Sequence, residues 1–370
     1  MTPSQIPATM RAAVLHGRRD LRFEEVPVPR PAAGEVLIEV TMVGVCGTDA
    51  AEWAYGPILT PIENRHAVTG HRGPMTLGHE FAGTVVATGE GVDAAWTGRL
   101  VASCGAAPCG SCDLCVSGRS NVCRRYSAVG LHRDGALASY VTAPVASCVD
   151  AGALGIDGGE AALVQPMSIA VHAARRSGVR AGDVAVVQGV GGIGAFLIHA
   201  LVDRGVRVVA VDLDPQRVEL AADLGAELTV RAGTDSSAAE IAASWGERLP
   251  VFFEVTGSER GMNLAIEIVP MGTTVVAVGI AKRPAPVDLG RVTVRELTLV
   301  GTNAMVRETD LVDAARLVAQ RAGRWQAVAS DPIAFDDLVE GALEPLSEGR
   351  PPAVKTLVRP PDRSVTAPSR

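Results

Sequence analysis

Gly189-Val190-Gly191-Gly192-Ile193-Gly194 stands between a short apolar run, Val184–Gln188, and a helical pattern, Ile193–Arg204. A buried strand that enters a helix through such a turn constrains the fold more than any other stretch of the chain. The G-x-G-x-x-G spacing alone is a weak signal, because glycine-rich turns are common; the strand before it and the helix after it give it weight. Gly189 permits the tight turn, Gly191 lets backbone approach a pyrophosphate, and Gly194 lets the helix pack close to the strand. Gly192 and Ile193 open the helix, whose free N–H groups face phosphates. Asp212 follows at the end of the next apolar run. A carboxylate there accepts hydrogen bonds from both adenosine ribose hydroxyls and repels a 2′-phosphate, so NAD is expected in preference to NADP. Arg217, close by, keeps NADP open. Asp212 has a second reading, as a cap for the helix that begins near Pro215.

The surrounding pattern agrees. From about Gly155 to Gly301 strands and helices alternate: Val206–Val211, Gln216–Leu224, Val251–Val255, Thr273–Val278 and Leu297–Val300 continue the series. Such alternation predicts a doubly wound parallel sheet. Residues 1–150 read instead as mainly β, with Glu35–Val45, Glu80–Thr88 and Leu137–Val145 set between Gly- and Pro-bearing turns. After Gly301 a helix over roughly Arg307–Gln320 leads into a mixed tail, and the polar Arg359–Arg370 is expected to fray.

Length and composition exclude several classes. At 370 residues the chain is expected to hold about two domains, given ~150 residues each. Lys and Arg number 34 against 41 Asp and Glu, a net charge of −7, which argues against nucleic-acid or anionic-membrane binding. Lys282 and Lys355 are the only lysines. No run reaches the ~18 apolar residues of a membrane helix, and Met1–Met10 lacks a charged-then-apolar signal pattern. A cytoplasmic location is therefore expected. There the seven cysteines are reduced, and clustered ones are metal ligands more often than disulfides.

Cys109, Cys112, Cys115 and Cys123 follow C-x2-C-x2-C-x7-C, in a lobe over about residues 104–124. Four thiolates enclose one tetrahedral Zn²⁺ and leave no position for water, so this site is read as structural. Cys104 and Cys148 are read as plain buried thiols. A second constellation is dispersed. Cys46 lies in Gly44-Val45-Cys46-Gly47-Thr48-Asp49, and His79 in Gly78-His79-Glu80. A lone Cys or His is more often a core residue, but these contexts change that estimate.

Taken in order, these motifs resemble the zinc-dependent medium-chain dehydrogenase/reductase superfamily, the alcohol and polyol dehydrogenases. The likeness covers essentially the whole chain, including its opening over Met10–Pro29. It implies an α/β fold: a GroES-like β-rich catalytic domain from residues 1–158 and 302–370, and a Rossmann dinucleotide-binding domain from 159–301. It also implies two zinc ions per subunit, one structural and one catalytic, the latter at the cleft. Cys46 and His79 match two ligands of the catalytic ion, Asp49 the acid that orients the histidine, and Glu80 a carboxylate beside the metal. Thr48 matches the hydroxyl that takes the alcohol proton. The implied reaction moves a hydride between an alcohol or ketone and NAD, in a homodimer or homotetramer joined through an exposed end strand, Thr273–Val278 or Leu297–Val300.

Two departures matter. Where polyol dehydrogenases of this kind show Glu-Pro, the chain has Leu163-Val164-Gln165-Pro166, so a neutral Gln165 stands at the third ligand position, where it either offers a carbonyl oxygen or faces away and leaves water to complete the shell. Glu80 is then expected to enter the ligand set with Cys46, His79 and Gln165. Ala51 replaces a relay histidine, and Glu52 offers a substitute route for the proton. The long segment between Cys46 and His79, with Trp53, Tyr55, Ile58, Asn64, Arg65, His66, His71 and Arg72, resembles that of 2,3-butanediol dehydrogenase-like members and points to a diol, cyclitol or sugar derivative. Alternatives on the same scaffold are a carbonyl or double-bond reductase and a redox-neutral isomerase that retains NAD; a non-catalytic nucleotide-binding relative is a third class.

Overall fold

Along the strand Glu35–Val45, Val36, Ile38 and Val40 enter one hydrophobic cluster while Leu37 enters another, the two-residue period of a pleated strand buried on both faces. A computed structural model describes residues 6–234, 237–281, 283–329 and 331–361. Residues 1–5 of the expected unsignalled opening, Lys282 and residues 362–370 of the expected frayed tail lie outside them. The chain divides into two units, Met1–Gln165 with Val306–Arg370, and Pro166–Met305.

These boundaries lie a few residues beyond the expected 158/159 and 301/302. The short helix Gly158–Ala161 packs against Glu35–Val45 and Glu80–Thr88, which keeps it in the first unit. Thr302 donates its N–H to Ala277 O, which keeps it in the second.

In the first unit a hairpin, Thr9–Gly17 with Asp20–Pro27, accompanies a six-stranded sheet. The order along that sheet is Cys148–Asp150, Leu100–Ser103, Glu80–Thr88, Glu35–Val45 and Thr356–Val358, with Tyr140–Pro144 also paired to Glu35–Val45. All these pairings are antiparallel. The strand Thr356–Val358 thus returns the end of the chain to the domain its beginning builds.

The second unit carries six parallel strands in the order Leu228–Arg231, Arg207–Asp212, Val184–Gln188, Val251–Glu254, Thr274–Ala277 and Thr298–Gly301. Val184 to Gln188 are all buried, as a parallel strand covered on both faces requires. The strand order reverses between Val184–Gln188 and Val251–Glu254, the arrangement of the doubly wound dinucleotide-binding fold. Thr274–Ala277 is paired on both sides, which corrects its expectation as an end strand; Thr298–Gly301 is the edge. Among the described residues no helix is long and apolar enough to cross a membrane.

Candidate active site and metal centres

Strand pairing assembles the dispersed constellation. Gly44 stands opposite Glu80 in one antiparallel ladder, and Val45 opposite Thr356 in the other. Glu80 and Lys355 therefore both arrive at the end of Glu35–Val45, where Cys46 follows. Gly44 leaves the space that Glu80 fills: a Cβ there would lie 2.5 Å from Glu80 Oε2.

Cys46, His79 and Glu80 each present a ligand atom within 4.8 Å of the others. Asp49 serves two of these elements at once. Its Oδ2 accepts the Cys46 N–H at 2.9 Å, capping the helix Gly47–Tyr55, and its Oδ1 lies 3.2 Å from His79 Nδ1. A proton held on Nδ1 leaves Nε2 free as a ligand. Burial opposes the His79 imidazolium, but Asp49 and Cys46 outweigh it and raise the ring well above its usual range, so a metal at Nε2 would bind in competition with a proton. Thr48 Oγ1 lies 3.7 Å from Cys46 Sγ. Gln165 is buried in the first turn of the helix Val164–Ser177. Thiolate, imidazole and an oxygen donor form a set that suits zinc.

Lys355 joins this constellation although no sequence motif marks it. Its Nζ donates to Glu80 Oε1 at 2.9 Å and Oε2 at 2.7 Å, with Lys355 4% and Glu80 1% exposed. Burial alone would drive the ammonium toward neutrality; Glu80, then Cys46 and Asp49, overcome this and raise it above the ordinary lysine range. The signal lay in rarity alone, one of two lysines in the chain.

The four-cysteine lobe also converges, with Cys109, Cys112, Cys115 and Cys123 sulfurs within 4.8 Å of one another. Cys112 Sγ is 3.6 Å from Cys115 Sγ and 3.8 Å from Cys123 Sγ. Sulfurs at the usual Zn–S distance from a tetrahedral ion stand about 3.8 Å apart, so the spacing fits. Cys109 and Arg125 N–H each lie 3.2 Å from Cys123 Sγ; the Ser111 and Cys112 amides pull the Cys109 thiol down to about 5, while burial and the neighbouring thiols push Cys115 up to about 12. Of the other cysteines, Cys104 is buried and Cys148 half-buried; burial pushes them up to about 11 and about 12.

In the second unit Gly189 adopts φ +102°, and a Cβ on Gly194 would collide with the Gly189 carbonyl oxygen. Asp212 Oδ2 accepts the Val190 N–H at 2.7 Å, so the carboxylate sits against the glycine-rich turn. Its other oxygen accepts the Asp214 N–H at 3.0 Å. The cap of the helix Pro215–Asp223 is Asp214, which accepts from Gln216 N–H, and this corrects the capping alternative for Asp212. Arg217 Nη1 stands 4.0 Å from Asp212 and 3.8 Å from where a Gly191 Cβ would be.

Glu52 does not stand free for a proton route. Its buried carboxylate accepts the Ile58, Leu59 and Thr60 amides and the Thr60 hydroxyl, folding the segment after the helix. Trp53 is core, whereas Tyr55, Ile58 and Leu59 are exposed. His66 stacks on His132, ring centroids 4.6 Å apart, and the His71 ring reaches the Gly73 carbonyl.

Residues 32–153 match the alcohol dehydrogenase GroES-like domain family and residues 192–320 the zinc-binding dehydrogenase family. The (R,R)-butanediol dehydrogenase of Bacillus subtilis is 33% identical over 361 residues, 95% of this chain and 100% of that one. A crystal structure of 2R,3R-butanediol dehydrogenase from Bacillus subtilis superposes with a TM-score of 0.84 at 31% identity, covering 95% of this chain and 100% of its own. Acetophenone reductase from Geotrichum candidum, in complex with NAD, gives 0.81 at 26% identity, covering 96% and 98%. The chain belongs to the zinc-dependent medium-chain dehydrogenase/reductase superfamily, as an NAD(P)-dependent oxidoreductase of the alcohol and polyol dehydrogenase kind.

Proposed function

We propose that the chain reversibly oxidises a secondary alcohol, diol or polyol-like substrate, with NAD as its preferred coenzyme and with Cys46, His79, Glu80 and Gln165 holding a catalytic zinc. The observation that carries this reading is the convergence of Cys46, His79 and Glu80 within 4.8 Å. Zinc bound there supplies Lewis acidity toward an alcohol oxygen, and the dinucleotide supplies the hydride acceptor. Asp49 fixes the His79 tautomer and the Cys46 backbone together. Thr48 would take the hydroxyl proton and pass its own on through the nicotinamide ribose to water. Lys355 holds Glu80 while it is not a ligand, and offsets its charge. A neutral Gln165 leaves the ligand set one negative charge poorer than a glutamate would, which makes the availability of Glu80 consequential.

Asp212 favours NAD, because its buried carboxylate faces the turn where an adenosine ribose binds. Arg217 beside it leaves some capacity for NADP. Cys109, Cys112, Cys115 and Cys123 hold a second, structural zinc. The likeness to a butanediol dehydrogenase over 95% of the chain supports a vicinal diol or related polyol as substrate. The edge strand Thr298–Gly301, with Leu299 43% exposed, supports a homodimer or homotetramer. Seven cysteines without a disulfide suit the cytoplasm.

A panel of diols, cyclitols and sugars with NAD and NADP, run with and without a zinc chelator, tests this reading. Chelator-sensitive NADH formation, greater than NADPH formation, is expected for at least one diol or polyol. Substrate conversion without absorbance change at 340 nm would identify a redox-neutral isomerase instead. Folded, zinc-loaded protein inert on alcohols and ketones alike would overturn the assignment.

A further inference from the structure

Glu254 is a buried acid that none of the foregoing chemistry uses. It ends the strand Val251–Glu254, is 1% exposed, and pairs in register with Gln188, the residue before the glycine-rich turn. These two strands flank the reversal of strand order, the place where a doubly wound sheet binds its dinucleotide.

The donors that reach Glu254 are uncharged. Oε1 accepts the Thr256 N–H at 2.9 Å and the Thr256 hydroxyl; Oε2 accepts the Gly257 N–H at 3.0 Å. The carboxylate therefore folds its own following turn. That turn continues in the same network: Ser258 N–H donates to Thr256 Oγ1 at 3.1 Å, and Ser258 Oγ accepts the Gly261 N–H, capping the helix Glu259–Ile268.

The folded turn bears directly on the glycine-rich one. A Cβ on Gly189 would lie 2.9 Å from Thr256 Cγ2 and 3.3 Å from Thr256 N. On its other side a Cβ on Gly257 would lie 2.7 Å from Ile280 O. Three turns that leave the carboxyl ends of adjacent strands thus touch through backbone, and the Glu254 carboxylate sets the conformation of the middle one. Burial also raises the carboxyl above its ordinary range, against the pull of these donors.

We propose that Glu254 is a positioning residue for the coenzyme: it holds the turn 256–258 against Gly189 and so fixes the glycine-rich turn in the shape that receives the dinucleotide. The proposal rests on the dinucleotide-binding reading of that turn. Glu254 acts through Thr256 and Gly189 and takes no part in the reaction.

Coenzyme binding measured apart from turnover tests it. NADH and NADPH are titrated by fluorescence into full-length wild-type, Glu254→Ala, Glu254→Gln and Thr256→Val proteins, each checked by circular dichroism and melting temperature. Glu254→Ala should raise the NADH Kd and the coenzyme KM at least tenfold while the alcohol KM moves less than twofold. Glu254→Gln, whose amide oxygen still accepts from the turn, should recover part of the loss, and Thr256→Val should raise the Kd about threefold. A folded Glu254→Ala with an NADH Kd within twofold of wild type overturns the proposal alone. Should that variant not fold, unchanged affinity in both Glu254→Gln and Thr256→Val overturns it equally. Wild-type protein that binds neither NADH nor NADPH overturns the dinucleotide reading, and the proposal with it.

Discussion

Lys355 sets its ammonium 2.9 and 2.7 Å from the two carboxylate oxygens of Glu80, and both side chains are almost wholly buried. The same Glu80 lies within 4.8 Å of the Cys46 and His79 ligand atoms. One carboxylate thus faces two claims, from an ammonium and from the cation that Cys46 and His79 suit.

Lys355→Met separates those claims. Removing one member of a buried pair strands the other charge, at a cost of about 3–5 kcal/mol. With chelator present the variant should lose stability on that scale. With zinc present Glu80 has a second cationic partner, so the loss should shrink and the metal should dissociate more slowly than from wild type. Denaturant midpoints with zinc and with chelator measure the first effect, and zinc release to a chromogenic chelator the second. Equal losses under both conditions would show that Glu80 stays out of the ligand set.

Asp49 joins the Cys46 backbone to the His79 ring, so its loss should be felt at two ligands together. Partners of this type contribute roughly 10–100-fold in metal affinity or activity. Asp49→Ala should weaken zinc retention by that factor, with the four-cysteine lobe keeping its own ion. Metal analysis after dialysis against graded chelator checks both expectations, because the two ions should leave at different chelator strengths. Loss of both ions in parallel would place Asp49 in general folding.

Asp212 touches the glycine-rich turn through Val190, and Arg217 stands 4.0 Å away. Hydrogen bonds to a charged group are worth about 1.5–3 kcal/mol. Asp212→Ala should therefore raise the NAD KM roughly 10–100-fold and improve NADP relative to NAD, since the carboxylate that repels a 2′-phosphate is gone while Arg217 remains. Steady-state kinetics with both coenzymes decide the matter. A uniform loss for both would locate the effect of Asp212 in holding the turn.

The second unit was legible because its signals are contiguous. Strand, turn and helix follow one another, and Val184–Gln188 is observed with the boundaries the pattern predicts; in the first unit the helix Arg307–Gln320 is too. The zinc-ligand candidates were legible through their flanking residues. Lys355 was not: it lies 275 residues from Glu80, and the pair exists only because the three-residue strand Thr356–Val358 docks beside Val43–Val45. Glu254 is hidden for the same reason, since its pairing with Gln188 depends on sheet order and not on spacing. Glu52 differs. Its partners lie within eight residues, so a glutamate one turn before Gly56-Pro57 is readable as a loop organiser from local spacing alone.

The His66–His132 stack carries the pH prediction. His132 Nδ1 accepts the Ala128 N–H at 3.0 Å, and His66 Nδ1 accepts the Thr69 N–H at 3.1 Å. Burial first, and then the neighbouring His66, depress His132 to about 4. In the unfolded chain the ring returns to about 6.5. Between these values the unfolded state binds more protons, so stability falls as pH drops from about 6.5 toward 4 and is unaffected by this group above that window. His132→Phe keeps a ring in the stack but removes the titration and the acceptor. At pH 7 it should melt lower than wild type, because the Ala128 N–H loses its partner. Between pH 7 and 4.5 its melting temperature should decline less steeply, so that the two curves converge. Scanning fluorimetry across that range reads the slopes, and parallel curves would mean that the folded protein leaves His132 with its ordinary affinity for protons.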